Sequence, residues 1–228
     1  MFSKETYVNR RAELKKLVKS GIIILFGNNE SPANFPANGY YPFRQDSTFL
    51  YYFGPKRDGL VGVIDVDNDK ELLIGNDIDI DDIVWYGSVD SVHDMAEHAG
   101  VKESAPMKQL QVICDNAMKE KRTIHFLPPY RHDTMIQIFD LLGIHPSKQR
   151  EAASVELIKA VVKDAFYQGT AGNRGNRACL RYRLQDAHHS DACDKAWSDR
   201  EIRRRTGKRY CQLVWCDGKL PYNLLTAW

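Results

Sequence analysis

Arg44, Gln45 and Asp46 stand side by side in YYPFRQDSTFLYYFG, residues 40–54, flanked by Phe43 and Ser47. A guanidinium, a carboxamide and a carboxylate in succession supply donors and acceptors of fixed geometry. The apolar run that follows, residues 48–53, has the composition of a buried strand. Polar groups placed against a buried element need specific partners for their hydrogen bonds. On an extended segment Arg44 and Asp46, two residues apart, point to the same side and can share one set of partners.

The other groupings that could do chemistry have simpler readings. Asp77, Asp79, Asp81 and Asp82 alternate with Ile78, Ile80 and Ile83. A calcium loop would need a glycine at its turn and a distal bidentate Glu, and neither is in place. Acidic residues opening a solvated helix, where they favour its dipole, are the reading adopted. Cys179, Cys193, Cys211 and Cys216 with His188 and His189 lack the paired ligand spacing of structural zinc. Arg203, Arg204 and Arg205, with Lys208, Arg209, Tyr210 and Trp215 nearby, could meet phosphates and bases, but no nucleic-acid fold surrounds them. His125, between Ile124 and Phe126, reads as a hydrogen-bonded strand histidine. His93 and His98 are too far apart for one helix face, and Cys114 belongs to the apolar side of a helix.

The elements that must hold these groups follow from periodicity. Residues 7–20 form an amphipathic helix stopped by Gly21, and 22–26 is a continuous β-branched run, as a strand buried on both faces should be. Residues 27–42, rich in Asn, Pro and Gly, read as a long loop, and 48–53 as the second strand. Residues 60–66 and 71–74 flank Asp67-Asn68-Asp69-Lys70, a hairpin signal. Helices are predicted at 79–84, 89–98, 107–120, 133–142 and 153–162, with a strand at 123–127. Five strands interleaved with helices make an α/β domain with a mixed sheet flanked by helices.

Composition bounds the class. At 228 residues, with a net charge of +2, nothing announces a nucleic-acid binder. The start, MFSKETYVNRRAELKK, lacks the apolar core of a secretory signal, and no apolar run approaches a membrane span. The chain is therefore read as cytoplasmic, with neither membrane nor nucleic acid as partner. Five irregularly spaced cysteines do not make a disulfide framework.

The segment 40–54 resembles the N-terminal domain of the aminopeptidase P / prolidase / creatinase family of Xaa-Pro metallopeptidases. It matches a YPFRQ(D/N)S.F.Y.(T/F)G signature nearly without gaps, and weaker similarity runs from Tyr7 to Lys163. The resemblance implies the same mixed sheet with flanking helices. It implies self-association through this domain and a hydrolase that cleaves next to proline in peptides. The chemistry would come from two divalent metals, manganese or zinc, held by two Asp, one His and two Glu of a C-terminal domain; they activate a water and polarise the scissile carbonyl. None of that ligand set is recognised in these 228 residues, so no cofactor is assigned to them. Phe43, Arg44, Gln45, Asp46 and Ser47 then have two readings: a rim facing a neighbouring subunit's cleft, or a polar network pinning the loop 27–42 to the sheet. The second is adopted.

The character of the chain changes after Lys163. Residues 1–163 contain thirteen Lys and seven Arg; residues 164–228 contain three Lys, nine Arg and four of the five Cys. Aliphatic periodicity also stops there. Reading residues 179–198 one nucleotide over permits ACDIGYKMHITAMRAIRPG, in which the last glycine is forced by the Trp197 codon and any Ser codon after it. From Trp215 the same shift permits GAMVSFPIISSQHG, its first glycine again fixed by a Trp codon. Both resemble successive stretches of the family's catalytic domain, so 1–163 is read as the domain and 164–228 as an out-of-frame, poorly structured tail, and the chain alone is expected to be inactive. A segment poor in aliphatics cannot offset an ordering cost of about 1–2 kcal/mol per residue. Limited proteolysis should leave a stable fragment ending near Lys163; equal protection of residues 181–209 would exclude this reading.

Overall fold

The computed structural model describes residues 2–35, 38–40, 42–78, 87 and 90–166. The chain divides into two units, Met1–Tyr167 and Gln168–Trp228; the description concerns the first. The helix read at 79–84, the cysteines and histidines of residues 179–216 and the arginine run lie outside the described residues.

Helix α1, Lys4–Val18, buries Tyr7, Arg11, Leu14 and Val18, one stripe at helical spacing. It ends at Lys19, and the chain turns through Gly21 at φ 91° into β1, Ile22–Phe26. A Cβ on Gly21 would lie 2.5 Å from the Thr123 carbonyl, so this turn admits only glycine. A small two-stranded sheet follows, β2 (Pro32–Phe35) with β3 (Asn38–Tyr40), antiparallel. Then come helix α2 (Ser47–Tyr52), strands β4 (Val61–Asp65) and β5 (Lys70–Ile74), helix α3 (Val92–Ala99) and strand β6 (Glu103–Ala105). Helix α4 (Lys108–Lys119), strand β7 (Ile124–Phe126), and helices α5 (His132–Leu142), α6 (Pro146–Ala152) and α7 (Val155–Phe166) complete the order.

The main sheet has the order β6-β5-β4-β1-β7. Strands β1, β4 and β5 run antiparallel to their neighbours in that trio, while β7 lies parallel to β1 and β6 parallel to β5. Alternate side chains feed two cores. Ile23, Leu25, Ile64 and Leu73 meet α1, α2, α3 and α7 on one face. Ile22, Ile24, Val61, Val63 and Ile74 meet Leu110, Cys114 and Ala117 of α4 and Leu141 of α5 on the other. Helices on both faces of a mixed sheet are the architecture anticipated from the periodicity. No helix among the described residues is long and apolar enough to cross a membrane.

Three sequence expectations are corrected. Residues 48–53 are helix α2 and not a strand: Phe49, Tyr52 and Phe53 are spaced for one helical face and are all fully buried. Phe49 and Phe53 stack at 5.4 Å, and Phe53 sits directly over Gly62 of β4, where any side chain would collide with its ring. The sheet's fifth strand is β6, too short to show a period in sequence. The loop 27–42 contains the β2–β3 hairpin.

Arg11 fastens this scaffold. Its side chain has no solvent exposure. Nε donates to Glu71 of β5 at 2.7 Å, Nη1 to the Tyr52 and Ala99 carbonyls at 2.8 and 3.0 Å, and Nη2 to the Gly100 carbonyl at 3.2 Å. One guanidinium thus joins α1 to the carboxyl ends of α2 and α3 and to the sheet. Burial pulls its pKa down while Glu71 pulls it back up. Replacing Arg11 by Ala leaves buried carbonyls without donors and should cost about 3 kcal/mol or more in chemical denaturation. Arg11→Lys should recover little, because a single ammonium cannot reach partners arranged for a fork.

Candidate functional site

The signature segment lies where β1 ends. Gly27 continues the sheet by donating to the Leu60 carbonyl at 2.8 Å, and Asn28 then turns away, only 6 % exposed. Gln45, 4 % exposed, receives this turn. Its Oε1 accepts from the backbone N–H of Asn28 at 2.5 Å and of Asp46 at 2.9 Å, and its Nε2 donates to the Arg57 carbonyl at 2.6 Å. A single carboxamide therefore joins three strands of chain that are distant in sequence.

Asp46 caps α2. Its Oδ1 accepts from the N–H groups of Thr48 and Phe49 at 2.8 and 2.9 Å, satisfying donors that a helix start leaves open. Its Oδ2 accepts from the Tyr130 hydroxyl at 3.0 Å. Asn28 Nδ2 donates to the same hydroxyl at 3.1 Å and to the Arg44 carbonyl at 2.8 Å. With its proton directed to the carboxylate, the Tyr130 oxygen is free to accept from Asn28. Burial of the hydroxyl first, and the charge of Asp46 second, push the Tyr130 phenol up to about 12. The network edges a small hollow of about 40 Å³, open to solvent, at the carboxyl ends of parallel strands β1 and β7, bordered by Phe26, Asn28, Asp46, Thr134 and the largely exposed Tyr130.

Gln45 and Asp46 are thus brought together, but Arg44 is not: its side chain is exposed, and only its carbonyl enters the network. The expectation that Arg44 and Asp46 share partners fails: the Asp46 carboxylate is taken up by the start of α2 and by Tyr130, while the Arg44 side chain lies exposed. Phe43 is half-buried, and Ser47 is exposed as the first residue of α2. Asn28 and Tyr130 were not singled out from sequence. The signals were there: Asn28 follows a β-branched strand through a glycine, and Tyr130 follows Pro128 and Pro129 just beyond another strand.

The remaining candidates occupy structural positions. His125, 3 % exposed, lies 3.0 Å through Nε2 from the Ser20 carbonyl and 2.7 Å through Nδ1 from Ser154 Oγ. Since a carbonyl only accepts, Nε2 carries the proton and Nδ1 takes the Ser154 hydroxyl proton. Ser154 Oγ accepts in turn from Leu157 N–H at 3.2 Å, capping α7. Burial pushes the Cys114 thiol up to about 11, away from nucleophilic character. Asp77 accepts from Val92 N–H at 2.7 Å at the start of α3; Asp79, Asp81 and Asp82 lie outside the described residues. Among the described residues no group of three or more His, Cys, Asp or Glu is arranged to hold a metal ion, so these residues do not fit a dinuclear centre.

Asp46→Ala should lower stability by about 1–2 kcal/mol, the usual worth of a cap. Asp46→Asn, which keeps the capping oxygen, should cost less. Gln45→Glu should cost more than Asp46→Asn, since it turns a carboxylate oxygen toward the Arg57 carbonyl in a buried site. Urea midpoints order the three; an unchanged midpoint for Asp46→Ala would mean that the network contributes nothing to folding.

Comparison with known proteins places this arrangement. The family model described as aminopeptidase P, N-terminal domain, matches residues 7–125. No curated protein is similar enough to match. Among solved structures, the Pseudomonas aeruginosa aminopeptidase PepP superposes with a TM-score of 0.54 at 21% identity over 67% of this chain and 35% of that one. Proline aminopeptidase P II from Yersinia pestis gives 0.51 at 19%, over 62% and 33%. Zinc-substituted E. coli aminopeptidase P in complex with product gives 0.51 at 17%, over 66% and 34%. The chain thus spans about a third of the length of the structures it matches, and at these identities they establish the fold. With the family model covering more than half of its 228 residues, the chain belongs to the aminopeptidase P N-terminal domain family.

Proposed function

We propose that residues 1–163 are the non-catalytic N-terminal domain of a cytoplasmic Xaa-Pro aminopeptidase or dipeptidase. In that reading the domain serves assembly, and bond cleavage next to proline belongs to a metal centre elsewhere in the family fold. The observation that carries it is the family match over residues 7–125, on a scaffold whose signature residues Gln45 and Asp46 are engaged in closing β1 and capping α2. The structure in complex with product among the matches is a zinc-substituted enzyme, which supports divalent metal in the intact family protein; two such metals, manganese or zinc, complete this reading. Proline-containing peptides are substrates of that intact protein. The tail from residue 164 is read as the product of a shifted frame, supported by the two glycines that the Trp197 and Trp215 codons fix. A nucleotide sequence with an open frame one base over from codon 163 is its check.

A second reading, a domain that only assembles with itself or a partner and has no catalytic descent in use, differs in one observable. The two part on complementation. The purified 228-residue chain should show no chelator-sensitive release of an N-terminal residue from Xaa-Pro peptides, and added manganese should leave its thermal midpoint unchanged. Mixed with a separately produced catalytic domain of the family, it should raise that domain's activity if the first reading holds and leave it unaltered if the second does. Reproducible turnover by the chain alone would overturn both.

A further inference from the structure

We draw no further inference here: the strongest candidate, the open hollow at the carboxyl ends of β1 and β7 bordered by Asp46 and Tyr130, belongs to the site already described, and nothing in the structure shows what fills it.

Discussion

Everything in this domain is arranged around β1, a strand paired on both edges and covered on both faces. Ile22, Ile23, Ile24 and Leu25 are each at most 2% exposed and alternate between the two cores. A strand in that position gains the full burial of its side chains, about 25 cal/mol per Å² of apolar surface, but it cannot turn to water where it ends. The backbone donors beyond Phe26 must find partners inside the protein. The Leu60 carbonyl takes the first, from Gly27, and the Gln45 carboxamide takes the next, from Asn28. The family signature is, in these terms, the apparatus that ends a central strand. Gln45 accepts from the Asn28 donor, Asp46 opens the next helix, and the Tyr130 hydroxyl, just beyond the parallel strand β7, meets Asn28 and Asp46.

That constraint also explains which parts of the fold were legible in the sequence. Residues 22–26 could be read because a strand buried on both sides has no polar alternation to confuse it. The β4–β5 hairpin could be read because Asp67, Asn68 and Asp69 mark its turn, with Asp69 in the left-handed region at φ 53°. Residues 48–53 could not, since the five apolar residues after Thr48 fit either period, and the deciding contact is made by Asp46 with the two N–H groups that follow Ser47. Strand β6 has three residues, and its existence depends on the edge of β5 already being in place. Helix α6 was not among the helices read from sequence, although Pro146 stands at its first turn and His145 caps it. The site fared as the fold did. Gln45 and Asp46 stood out for being polar beside an apolar run; Asn28 and Tyr130, 102 residues apart, are joined only by the folded chain.

The family resemblance and the geometry bear on different questions. A family match over residues 7–125 establishes which domain this is, and TM-scores just above 0.5 establish its fold. They leave open what its individual side chains do. The distances answer part of that: the signature triplet divides into a buried carboxamide, a capping carboxylate and an exposed guanidinium, three roles that one motif string does not separate.

The buried polar residues of the described fold are Arg11, Asn28, Gln45, His125 and Gln149. Each spans segments that apolar packing alone would leave free to slide. Arg11 holds two helix ends to the sheet, and Asn28 and Gln45 hold the loops around β1. His125 links the end of α1 to the cap of α7, and Gln149 links α5 to α6. Such groups carry a large penalty if left unpaired and little net gain when paired, so their value is in discriminating one arrangement from others. Residue types able to do chemistry have, in this domain, been used to specify topology.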